Sequence, residues 1–153
     1  MPPTVLIVDD HTAVRASLRE WLGSALPRYL FIEAGSGEEA VTTARAVRPW
    51  VVLMDITLPR MSGIEATRQI KAALPDTHVV ILTIHENEYY RSDAVSAGAS
   101  AYIPKRQMWT ELLPTLAALP GNPALDQPVV ERDEAEHNHG LPKEKTIDGP
   151  KQA

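Results

Sequence analysis

The sequence predicts an α/β fold, a doubly wound five-stranded parallel sheet with helices on both faces. Three observations predict it. Short runs of the chain are continuously apolar rather than alternating, as strands covered on both faces must be. The segments between them carry apolar residues at helical spacing. Acidic, hydroxyl and basic residues stand directly after the apolar runs, where folds of this kind place their ligands.

Taken in order, the first run spans residues 5–8 and ends at Asp9-Asp10. Val14, Leu18, Trp21 and Leu22 then form one stripe and predict the first helix. The second run is 29–32, and Ser36 with Glu39 has the spacing of a capping box that opens the second helix. The third run, 50–54, ends at Asp55; Ser62 with Glu65 opens the third helix, whose stripe is Ile64, Thr67, Ile70 and Leu74. The fourth run, 79–82, ends at Thr83, and residues 87–97 predict a short helix stopped by Gly98. A weaker fifth run, 101–103, ends at Pro104, which suits an edge strand. The last helix is expected near 110–119. Pro114 falls inside it, at a cost of about 3 kcal/mol if central. That cost is avoided if Thr110 caps the helix and leaves Pro114 in or near its first turn.

With 153 residues the chain supports one domain of ordinary size. It has no cysteine, which excludes disulfides, thiolate metal sites and a cysteine nucleophile. The first residues lack the basic start and long apolar run of a signal peptide, and no stretch is long enough to cross a bilayer. A cytoplasmic protein without a membrane partner is expected. The formal net charge is −5, and neither residues 1–119 (11 basic, 13 acidic) nor residues 120–153 (4 and 7) have a basic surplus. Direct nucleic-acid binding is therefore not expected. Residues 120–153 hold five prolines, no aromatic residue and no apolar periodicity. The expected division is a folded domain over 1–119 and a Pro-rich acidic tail over 120–153, disordered by composition.

If the first strand is central, the strand ends gather Asp9, Asp10, Asp55, Thr83 and Lys105 into one cleft. Three carboxylates at close quarters need a cation. Oxygen-only donors with room for water suit Mg²⁺ better than Ca²⁺. Beside such an ion a carboxylate oxygen can attack phosphorus and form an acyl phosphate. Phosphoryl transfer asks mainly for positioning and charge neutralisation, which the ion, Lys105 and Thr83 can supply. Singly, each residue has a blander use. Asp9 and Asp10 could cap a helix, Asp55 could sit in a turn, Thr83 and Tyr102 could be plain strand residues, and Lys105 could be solvated. The joint placement at strand ends is what favours the chemistry. His11 reads as a helix-start or rim residue, and His85 as a rim residue that tunes access of water to the site. His137 and His139 and the acidic run 131–136 read as solvated tail.

Asp9-Asp10, Asp55-Ile56-Thr57-Leu58-Pro59 with Gly63, then Thr83, Tyr102 and Lys105 resemble a two-component response-regulator receiver domain over residues 4–119. Asp9-Asp10-His11, Gly63 to Arg68 and Ala97-Gly98-Ala99 look like the NarL/FixJ (LuxR-type) group. The resemblance implies a CheY-like, flavodoxin-like sheet of order 2-1-3-4-5. It implies Asp55 as phosphoacceptor, with Mg²⁺ held by Asp9, Asp10, Asp55 and the backbone carbonyl of Thr57, whose side chain is free to vary. Lys105 would bind the phosphoryl group, Thr83 would move to meet it, and Tyr102 would turn inward. A sensor histidine kinase is the implied donor. An output protein would read the face made by the fourth helix, fifth strand and fifth helix, and a homodimer is a further family-level expectation. The domain would be a regulatory phosphoacceptor rather than an enzyme, catalysing at most its own phosphorylation and dephosphorylation.

Two positions depart from the family pattern. Ile84 is bulkier than usual after Thr83 and is expected to narrow access to the site. Pro104 precedes Lys105, where many receivers have proline after the lysine. The helix-turn-helix output module of the group is missing from the sequence. A truncated or partner-dependent transcriptional regulator is the alternative reading. A haloacid-dehalogenase-type phosphatase fits less well, because its paired aspartates follow the first strand as Asp-x-Asp. A degenerate receiver is opposed by the retained acidic pair, Asp55, Thr83 and Lys105.

Overall fold

The computed structural model describes residues 2–123. Five strands, β1 (Thr4–Val8), β2 (Leu30–Ala34), β3 (Val51–Met54), β4 (His78–Thr83) and β5 (Ala101–Pro104), alternate with five helices. These are α1 (Thr12–Ala25), α2 (Gly37–Val47), α3 (Gly63–Ala73), α4 (Glu88–Ser96) and α5 (Met108–Ala118), and a 3₁₀ turn, Lys105–Gln107, leads into the last. All strand pairs are parallel and the order is 2-1-3-4-5, as the resemblance implied. The chain reverses its winding between β1 and β3, which opens a crevice at their carboxyl ends.

Side chains alternate across each strand, so the sheet builds two cores. Val5, Ile7, Leu53, Val80 and Ile103 face α1 and α5, where Leu18, Leu22, Leu112 and Leu116 complete one core. Leu6, Val8, Met54 and Ile81 face the other way, onto Ala40, Ala44, Ala66 and Ile70 of α2 and α3. Leu22 and Leu112 are fully buried, and burial of one such side chain contributes about 1.5–3 kcal/mol. Covering both faces is what makes the strands read as uninterrupted apolar runs.

Capping follows the sequence in part. Ser36 and Ser62 each accept from the backbone N–H three residues on, Glu39 and Glu65. The returning halves of the boxes differ. Glu39 accepts from the N–H of Gly35, while Glu65 turns to Arg68 and Gln69 on its own helix. Asn87 caps α4 through the N–H of Tyr89, and Gly98, at φ 102°, ends the helical segment.

The boundaries need corrections. β2 lies at Leu30–Ala34 rather than 29–32. Glu33 hides the end of that strand in the sequence, because its carboxylate bridges Arg15 and Arg19 of α1 instead of joining an apolar run. β4 takes in His78, and β5 includes Pro104, which sits opposite Thr83 on an edge strand and owes no hydrogen bond outward. Helix α5 begins at Met108, not at a Thr110 cap. Pro114 is therefore its seventh residue and lies well inside it. Thr110 and Pro114 are exposed, so the carbonyl that loses its intrahelical donor is left to water.

Past α5 the chain stays on the body for a few residues. Leu119 is buried, the carbonyl of Pro120 lies 2.9 Å from His78 Nε2, and Tyr29 donates to Asn122 Oδ1 at 2.5 Å. Residues 124–153, most of the expected tail, lie outside the described residues.

Gly63 is where the fold is tightest. A Cβ there would stand 1.9 Å from the carbonyl oxygen of Asp55 and 2.7 Å from its carbonyl carbon. Gly23, in α1, has nothing within 4 Å of the same point. Gly63→Ala is expected to cost at least about 3 kcal/mol, since backbone cannot yield as a side chain does. Gly23→Ala is expected to add roughly 0.5–1 kcal/mol. Urea unfolding of both variants checks the pair, and equal effects would contradict it.

Candidate functional site

The parallel register brings the predicted residues together. The N–H of Asp55 donates to the carbonyl of Val8, and that of Asp9 to the carbonyl of Ala34. Asp9 and Asp55 thus stand next to each other beyond β1 and β3. Lys105 follows β5 as the first residue of the 3₁₀ turn, and its Nζ donates to Asp9 Oδ2 at 2.7 Å and Asp55 Oδ2 at 3.3 Å. Pro104 before it does not divert the side chain from the cleft. One ligand atom each of Asp9, Asp10, His11 and Asp55 lies within 4.8 Å of the others. Asp9 and Asp55 are buried, at 2% and 4% exposed, while Asp10 opens to solvent.

Burial sets the electrostatics. It pushes the Asp55 carboxyl above its usual value; the Lys105 charge pulls the other way and the Asp9 charge adds to the rise. For Asp9 burial also acts upward. Hydrogen bonds from Lys105 and the N–H of His11, with the Lys105 charge, outweigh it and hold Asp9 below the usual value. Lys105 loses by burial, but its bond to Asp9 and the charges of Asp55 and Asp9 raise it above the ordinary lysine value. Three carboxylates against one ammonium leave a formal charge of −2 in the cleft. The donor set is hard oxygen around a half-open space, and a divalent cation such as Mg²⁺ fits both its charge and its chemistry. Asp9, Asp10 and Asp55 are the side chains that could hold it.

Thr83 is fully buried at the end of β4, and its Oγ1 accepts from the N–H of His85 at 3.1 Å. Tyr102 already points inward, with its hydroxyl donating to the carbonyl of His85 at 2.6 Å and the Arg91 guanidinium 4.8 Å from its ring centroid. Its phenol is raised, chiefly by burial. Thr57 gives its N–H to Asp55 Oδ1 at 3.3 Å. Its side chain, expected to be free to vary, pairs instead with His85 Nε2 at 2.8 Å. His85 also stacks on Tyr90 at 4.6 Å between ring centres. One rim residue therefore touches Thr83, Tyr102 and the loop after Asp55. Ile84, expected to narrow access, is 72% exposed and lies mostly in solvent.

Sequence reading gave Arg15 no role. Its guanidinium donates to the carbonyl of Asp9 at 2.5 Å and pairs with Glu33 at 3.3 Å, which fixes the backbone under the acidic pair. Its place four residues after His11, on the helix that follows the aspartates, was the available signal. The His85–Thr57 bond joins two loops 28 residues apart and left no trace in local pattern.

Residues 5–117 match the family described as response regulator receiver domain. Transcriptional regulatory protein YxjL of Bacillus subtilis is 37% identical over 114 residues, 74% of this chain and 52% of its own length. Response regulator GacA of Pseudomonas protegens is 39% identical over 101 residues, 66% of this chain and 47% of its own. The chain spans about half the length of the curated relatives it matches. Among solved structures, a LuxR-family two-component response regulator from Aurantimonas superposes with a TM-score of 0.71 at 34% identity, over 77% of this chain and 84% of that one. TrrA of Thermotoga maritima, solved in complex with Mg²⁺-BeF, gives 0.68 at 30% identity, over 75% and 96%. A match across nearly all of the described residues, on a fold with the same strand order and an acidic cleft at its carboxyl edge, settles the family: the chain belongs to the response regulator receiver domains of two-component systems.

Proposed function

We propose that this chain is a phosphorylation-controlled switch in which Asp55 accepts a phosphoryl group from a sensor histidine kinase. The observation that carries the reading is the Asp55 carboxylate itself. It is buried at the carboxyl edge of the sheet, within 4.8 Å of the other acidic ligands and 3.3 Å from the Lys105 ammonium. One oxygen of Asp55 attacks phosphorus as the bond to the donor histidine nitrogen breaks, and the product is an acyl phosphate. Bound at Asp9, Asp10, Asp55 and the Thr57 carbonyl, Mg²⁺ would neutralise charge on the transferred oxygens. Lys105 exchanges its Asp55 contact for a phosphoryl oxygen. The Thr83 hydroxyl gives up its place at the His85 N–H and donates to another. Because Tyr102 is tied to the carbonyl of His85, that movement reaches β5 and the face it shares with α4 and α5. Tyr89 and Val95 expose apolar surface on α4, where an output protein or a second copy would bind.

The alternative reading is a truncated or partner-dependent transcriptional regulator. The relatives include transcriptional regulators about twice the matched length. In such a protein this domain would govern a separate DNA-reading part. A longer open reading frame downstream would favour it.

Intact mass after incubation with acetyl phosphate and Mg²⁺ is expected to show one added phosphoryl group in the wild type and none in Asp55→Ala. An adduct of equal yield in the variant would remove Asp55 from the role. His85→Ala opens the bridge over the loop after Asp55 and is expected to speed loss of the phosphoryl group several-fold. An unchanged dephosphorylation rate would show that the bridge does not shield the site.

Asp55 has a raised folded-state pKa, so its contribution to stability is full below the ordinary value of about 3.9 and is lost as pH rises through the folded value. At pH 7 without metal the ionised group burdens the fold. Asp55→Asn is expected to melt a few degrees higher than wild type at pH 7, with the gap closing toward pH 4. Mg²⁺ should narrow the gap at pH 7 by stabilising the wild type. Thermal unfolding across pH, with and without Mg²⁺, checks both signs.

A further inference from the structure

We infer that Arg15 is a positioning residue for the cation site: it fixes the peptide between Asp9 and Asp10 and so aims the Asp10 carboxylate into the cleft. The inference rests on reading Asp9, Asp10 and Asp55 as that site. The two aspartates are held in different ways. The Asp9 side chain is buried and accepts from Lys105 Nζ at 2.7 Å and from the N–H of His11 at 2.9 Å. The Asp10 side chain is 34% exposed and faces the exposed His11 ring at 3.1 Å. A solvated pair of this kind orients a carboxylate weakly. The direction in which Asp10 leaves the chain is therefore set by its backbone. A peptide group is planar, so holding one carbonyl fixes the N–H and the Cα that follow it. Arg15 holds that carbonyl, its guanidinium donating to the oxygen of Asp9 at 2.5 Å.

The surroundings of Arg15 suit this contact. Arg15 lies one turn into α1, with its N–H on the carbonyl of His11, and helical side chains lean toward the N-terminus. Its reach is thus back to the connection between β1 and α1. Nε donates to Glu33 Oε1 at 3.3 Å, and Arg19 holds the other oxygen of Glu33 at 3.0 Å. The planar fork spans a carboxylate on β2 and a carbonyl beyond β1, which a point-like ammonium does not match. The side chain is 15% exposed, so the contact is largely shielded from water. Gly35 leaves it room, since a Cβ there would stand 3.3 Å from the guanidinium. Charge alone would give Arg15 the opposite effect, because a positive group beside the cleft repels a cation. Positioning and charge therefore predict changes of opposite sign when the guanidinium is removed.

Calorimetric titration of the full chain with Mg²⁺ reads that sign. Arg15→Gln is expected to weaken Mg²⁺ binding about tenfold, the scale on which partners of metal ligands act. Arg15→Lys, which keeps the charge and can reach the carbonyl alone, should recover part of the loss. Asp10→Asn should weaken binding as well. Adding Arg15→Gln to it should cost less than about twofold more, since the guanidinium acts through Asp10. A residue that merely supported the fold would lower the melting temperature and leave the Mg²⁺ affinity of the folded protein unchanged. Unchanged or tighter binding in Arg15→Gln, or a full tenfold added loss in the double variant, overturns the inference, while a weakened Asp10→Asn keeps the cation site. If Asp10→Asn alters nothing, the cation site and the inference fall together. Should Arg15→Gln not fold, Arg15→Met keeps the stem packed and takes its place, with the same loss expected and the same results overturning it.

Discussion

Excess negative charge at the carboxyl edge of a buried sheet is the constraint around which this domain is arranged. Two of the three carboxylates are withdrawn from water, where an unpaired ionised group is costly. Lys105 answers part of that charge and is itself held by it. Arg15 anchors the carbonyl of Asp9 from α1, and the N–H groups of His11 and Thr57 point at Asp9 and Asp55. None of these contacts completes the neutralisation. The cleft is kept short of positive charge, and a cation or a change in the charge of Asp55 has a corresponding effect on everything packed beside it.

The same economy links the site to the surface. Thr83 is fully buried, and its hydroxyl accepts from the N–H of His85 and also meets the Tyr102 hydroxyl. His85 is in turn fastened by Thr57, Tyr90 and the Tyr102 hydroxyl. The loop after β4 is therefore held by a few directional bonds rather than by apolar packing. Such a segment can exchange one set of partners for another without disturbing the two cores beneath it.

Much of the architecture was legible because each strand is covered on both faces and each candidate site residue stands at or just past a strand end. Asp9, Asp10, Asp55, Thr83 and Lys105 could be placed in one cleft from order alone. What escaped was set by tertiary contact. Glu33 belongs to β2 but its ion pairs with α1 break the apolar run that would announce it. Helix α5 starts earlier than the Thr110 pattern suggested, because the 3₁₀ turn after Lys105 feeds straight into it, and the proline is absorbed on an exposed face. The His85–Thr57 bridge and the return of His11 onto the aspartates need the fold before they can be seen.

The short clasp after α5 has a mechanical meaning. Asn122 is fastened to Tyr29 and Pro120 to His78, both at the amino ends of strands, and the carbonyl of Pro3 pairs with Leu30 at that same pole. Both ends of the described chain are thereby moored away from the cleft by the length of a strand, about 17–20 Å. A donor as bulky as another protein can dock over Asp55 without meeting either mooring. The described chain thus reaches Asn122 at the pole opposite Asp55, so a pull applied there is felt at the site through the body of the sheet, as a load is felt through a lever.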